Sequence, residues 1–88
     1  MPYHDIDLHG EMPDRGRVSY LLDEALQAAR HQRRGLRIIH GRGEGVMAAL
    51  VHDILADWAV GYTHGWANPG ETRVELRAVL RARGSDDD

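Results

Sequence analysis

Apolar residues recur along this chain in two rhythms, and the changes between them mark the elements. Near the N-terminus Ile6 and Leu8 alternate with Asp5, Asp7 and His9, the period of two expected of a strand with one covered face. From about Arg17 to His31, Val18, Leu21, Leu22, Ala25, Leu26 and Ala29 fall three and four apart, the stripe of an amphipathic helix. Asp14 is placed to cap that helix and Gly35 to end it. Leu36-Arg37-Ile38-Ile39 reads as a buried strand. Met47, Leu50, Val51, Ile54, Leu55 and Trp58 define a second helix from about Val46 to Ala59, stopped by Gly61. Tyr62 to Ala67 reads as a short aromatic strand and Asn68-Pro69-Gly70-Glu71 as a turn. Thr72 to Arg77 reads as a last strand, with Val74 and Leu76 inward and Arg73, Glu75 and Arg77 outward.

The order β-α-β-α-β-β predicts an α/β fold of the α+β two-layer sandwich type, a four-stranded mixed sheet with two helices on one face. Strands one to three should run parallel and the fourth antiparallel, with right-handed crossovers. Eighty-eight residues support one small core. Residues 1–80 are expected to form a single domain and residues 81–88 a frayed, charged tail.

Candidate chemistry gathers where the second strand ends. Ile39 leads into His40-Gly41-Arg42-Gly43-Glu44-Gly45, where glycines at alternate positions can expose backbone N–H groups just before a helix N-terminus, a generic anion cradle. The spacing is not that of a dinucleotide fingerprint, because Val46 stands at the third glycine position, and no Lys-Ser/Thr pair follows as in a P-loop. The first strand also ends in His-Gly, at His9-Gly10. Two parallel strands joined by one helix emerge at the same sheet edge, so His9 and His40 are expected to be neighbours, with Asp7 and His9 on the open face.

The motifs Ile6-Asp7-Leu8-His9-Gly10 and Ile39-His40-Gly41-Arg42-Gly43 resemble the paired hallmarks of the Smr (small MutS-related) domain family, over roughly residues 5 to 77. The chain departs from the family pattern at Asn68-Pro69-Gly70-Glu71-Thr72, where a Gly-Gly-x-Gly turn is usual. The resemblance implies an endonuclease or nickase acting on RNA or structured DNA. Metal-free cleavage of that kind needs a base, an acid and a stabiliser of phosphorane charge. His9 and His40 would supply the proton transfers in either order, with Asp7 steering His9. Gly41, Arg42 and Gly43 would hold phosphate, with Gly45, Arg37, Arg73 and Arg77 extending the binding surface. No metal site is assigned. Assistance by Mg2+ or Mn2+ on Asp7 and two imidazoles stays open, although magnesium prefers more oxygen ligands. The alternative is a non-catalytic nucleic-acid or phosphate-binding module, and the blandest reading is a hydrogen-bonded Asp7/His9/His40 cluster that locks the strand ends. His52 reads as an exposed surface histidine and Trp66 as an edge of the core.

Composition narrows the partners. All eleven basic residues are arginine, and the net charge of −3 is owed to Asp86, Asp87 and Asp88, so the strongly basic footprint of a tight non-specific DNA binder is absent. There is no cysteine, which excludes disulfides and thiolate metal sites. No signal peptide or membrane-length apolar run is legible. The expectation is a free-standing, cytoplasmic, monomeric protein whose partner is RNA or branched or nicked DNA.

Overall fold

The computed structural model describes residues 2–41, 45–64 and 70–82. The elements run β1 (Tyr3–Asp7), α1 (Arg15–Gln32), β2 (Gly35–Ile39), α2 (Val46–Asp57), β3 (Thr63–His64), β4 (Glu71–Val74) and α3 (Leu76–Arg81). The strands form one sheet in the order β1-β2-β4-β3. β1 and β2 are parallel, and β4 is antiparallel to both β2 and β3. The first three strands therefore share a direction, as expected, and β4 inserts between β2 and β3.

Local chemistry explains the boundaries. The Asp14 carboxylate accepts a hydrogen bond from the Arg17 amide at 2.8 Å, satisfying one of the free donors at the start of α1. α1 ends at Arg33, which is left-handed with φ 57°, two residues before the glycine expected to end it. Gly35 serves the sheet instead: a Cβ there would lie 2.8 Å from the Tyr3 ring and 2.8 Å from the Val74 carbonyl oxygen, so three strands converge where only glycine fits.

Leu36 and Ile38 of β2 and Val74 of β4 are fully buried in one cluster with Val18, Leu22 and Leu26 of α1, Val51, Ile54 and Leu55 of α2 and Val79 of α3. All three helices thus cover one face. On the other face Asp5 and Arg37 form an ion pair at 2.9 Å, and the Arg73 guanidinium lies 5.2 Å from the centroid of the Tyr3 ring.

Two expectations need correction. There are three helices rather than two, and the last strand stops at Val74 instead of continuing to Arg77. Pairing on β2 reaches Val74 and pairing on the two-residue β3 reaches only Arg73. Beyond that point the chain gains more by winding into α3, which buries Val79 and is followed by a buried Ala82. Leu76 is correspondingly 40% exposed rather than inward. Trp66 and the Asn68-Pro69 half of the expected turn lie outside the described residues, as do Arg42, Gly43, Glu44 and residues 83–88.

Candidate functional site at the carboxyl edge of the sheet

Register decides which site residues meet. Asp7 pairs with Ile39, and the Leu8 amide donates to the Ile39 carbonyl at 2.7 Å, so the ends of β1 and β2 emerge side by side. One residue further, His9 meets Gly41: a Cβ on Gly41 would lie 2.9 Å from His9 Cδ2, and Gly41 has φ +83°. A side chain at Gly41 would therefore displace the His9 ring as well as strain the backbone. Asp7 and His9 are both exposed. The Asp7 carboxylate accepts a hydrogen bond from the His9 backbone amide at 2.9 Å, which fixes where the His9 side chain leaves the chain.

His40 belongs to the other side of the sheet. It follows Ile38 by two residues and shares its inward direction, and it is only 6% exposed. Its Nε2 lies 2.9 Å from the Thr72 hydroxyl, and its Nδ1 lies 3.2 Å from the Gly41 carbonyl oxygen. The same Thr72 hydroxyl lies 2.8 Å from Nε2 of His52. His64, paired with Thr72 in the sheet, stacks on His40 with ring centroids 5.8 Å apart and meets His52 edge-on at 4.9 Å.

The hydrogen bonds assign the protons. A carbonyl only accepts, so His40 Nδ1 carries the hydrogen and its neutral ring accepts at Nε2. The Thr72 hydroxyl then donates to His40 and accepts from His52 Nε2–H. A continuous donor chain results: His52 to Thr72 to His40 to Gly41. Burial lowers the pKa of His40 below its ordinary 6.5, reinforced by His64 and opposed by the Gly41 carbonyl and Glu71. Burial also lowers that of His52, with His64 and His40 adding to it. Both therefore favour the neutral form at pH 7.

The remaining expected binding residues are dispersed. Arg37 is paired with Asp5. Arg73 pairs with Glu71 at 2.6 Å, and Glu71 raises its pKa further. Arg77 sits on α3, where it lines a surface pocket with Arg81, Glu75 and Tyr62. Gly45 caps α2 with φ 81° and no side-chain hydrogen bond. The structure thus brings His9 to Gly41, and His40 to Thr72, His52 and His64.

His52, His64 and Thr72 were not singled out by sequence. His52 was expected to be an exposed surface residue, yet it is half-buried and hydrogen-bonded. The three histidines stand on separate elements, so no local motif joins them. The one available signal was that His52 flanks the apolar stripe of α2 rather than opposing it.

No helix among the described residues is long and apolar enough to cross a membrane. A search of curated proteins finds no match. The family model described as Smr domain matches residues 6–77, a span holding both His-Gly strand ends, and such membership supports a nucleic-acid-binding role. The chain belongs to the Smr domain family.

Proposed function

We propose that this protein is an endonuclease or nickase that cleaves phosphodiesters of RNA or of branched or nicked DNA. The observation that carries this is the junction of the two motif ends, with the exposed His9 ring against Gly41 at the mouth of the glycine loop. His9, open to solvent, suits the acid that protonates the leaving oxygen, while His40, kept neutral by burial on the other side of the sheet, would act as the base only after its Nε2 exchanges the Thr72 hydroxyl for the substrate. Asp7 fixes the His9 backbone. Phosphate would be held by Gly41, Arg42, Gly43 and the start of α2 at Gly45, because a helix N-terminus favours an anion. Arg37 and Arg73 would contact flanking phosphates once drawn from Asp5 and Glu71, and Arg77 would do so from its place on α3.

A second reading, a module that binds nucleic acid without cutting it, is favoured by one observation: both ring nitrogens of His40 are already engaged, by Gly41 and Thr72. Labelled single-stranded RNA and nicked or branched DNA, incubated with the protein with and without EDTA, separate the two. Product favours the enzyme, and loss of product in EDTA would identify an Mg2+- or Mn2+-assisted route; retention without product favours the binder. His9→Ala should slow cleavage by about two to four orders of magnitude with its melting temperature nearly unchanged, because the side chain is exposed. Leu8→Ala, by contrast, removes a side chain 1% exposed and should cost about 2–5 kcal/mol of stability. A His9→Ala protein that cuts normally would sink the catalytic role of His9.

A further inference from the structure

Two of the three clustered histidines, His52 and His64, have no part in the proposed cleavage, yet they are the most concentrated set of metal-ligating atoms among the described residues. We propose that His40, His52 and His64 form a three-imidazole site for a divalent late first-row transition-metal ion, Zn2+ foremost, with one coordination position left to solvent.

Four features support it. Each histidine comes from a different element, the end of β2, the middle of α2 and β3, and one ring nitrogen from each lies within 4.8 Å of the others. Ligand nitrogens on a tetrahedral ion with bonds near 2.1 Å are about 3.4 Å apart, so a modest inward turn is needed, and the exposed His64 ring has the freedom to supply much of it. The Gly41 carbonyl holds the Nδ1 hydrogen of His40, the kind of outer contact that fixes the tautomer, so that Nε2 becomes the ligating atom once the ion takes the place of the Thr72 hydroxyl. Neutral imidazoles are the form a metal takes, and burial favours that form at His40 and His52. Finally, the ligands are all nitrogen. That selects Zn2+ and its neighbours over Mg2+ or Ca2+, which take oxygen. The graded burial, from buried His40 to exposed His64, leaves the fourth position facing water, the open arrangement of a site that can exchange ligands.

The ion would occupy the His40 nitrogen that the cleavage reading uses as a base, so metal loading and that use of His40 exclude each other. The test therefore reads the ion and not cleavage. Co2+ titrated into the full chain should be taken up at one per molecule, with the visible absorption of low-coordinate cobalt, and Zn2+ should displace it. His64→Gln and His52→Gln should each weaken uptake by more than about 100-fold, beyond the roughly 10–100-fold carried by supporting outer-shell contacts. His31→Gln, at the exposed end of α1, should leave it unchanged. Circular dichroism checks that His64→Gln, a surface change, stays folded. No saturable cobalt spectrum, or one that survives both cluster substitutions, overturns the site whatever the nuclease assay gives.

Discussion

Water cannot fully solvate the charged forms of the His40 and His52 imidazoles, and that one fact ties protonation to folding. In both, burial holds the folded pKa below 6.5, so between 6.5 and those lowered values the unfolded chain binds more protons than the folded one. Stability then rises with pH across that window. The contribution is complete above about pH 6.5, the unfolded value, and is lost as pH falls through the folded values. Thermal melts from pH 8 down to 5 should show the decline setting in near the unfolded value, and the imidazole proton resonances of both residues should titrate below it. In His52→Gln the decline should shrink. A melting temperature flat through this window would mean that the Thr72-centred cluster admits water freely. Asp7, His9 and His40 were all legible as residues, but the face of His40 was not. Alternation from Ile38 turns it inward, one position out of step with His9, and the His-Gly repeat conceals that offset.

At the scale of elements, the sequence speaks clearly where a stripe is long. α1 and α2 follow from apolar spacing over several turns, and Asp14 caps α1 as its position foretells. α3 is six residues, too short for periodicity to outweigh the Val74–Leu76 alternation. Its spacing of Leu76, Val79 and Leu80 was a helical signal, but only packing on the core decides between the two rhythms. Gly35 shows the same limit. It looked like a helix stop, and it is in fact the place where β1, β2 and β4 approach too closely for a side chain. Gly35→Ala should cost about 1–3 kcal/mol through overpacking, measured by urea denaturation. Trimming Tyr3 to alanine in the same chain should not restore it fully, because the Val74 carbonyl remains 2.8 Å from the new methyl and is fixed in the sheet. A loss below about 0.5 kcal/mol, the usual range for surface changes, would show that the strands can part.

For the whole molecule the open question is where the fold closes. The family match ends at residue 77, inside α3, yet burial continues to Val79 and Ala82, and Arg30 of α1 donates to the Leu80 carbonyl at 3.3 Å. α3 is therefore the lid over the end of the core where β2 and α1 meet, and the family boundary cuts through it. An 88-residue chain has only roughly 4–13 kcal/mol of stability at typical values per residue. Ending the chain at Arg77 removes Val79 and Ala82 from the core, a loss of about 2–4 kcal/mol from their burial alone, before counting the newly exposed faces of β2 and α1. That chain should melt far below the 88-residue chain, with a broadened transition. A chain ending at Ala82 keeps Val79, Leu80 and Ala82 in place and should melt with the 88-residue chain. If the two shortened chains melt together, α3 is an ornament on a core already complete at β4. If only the shorter one fails, residues 76–82 belong to the domain as fully as the His-Gly strand ends.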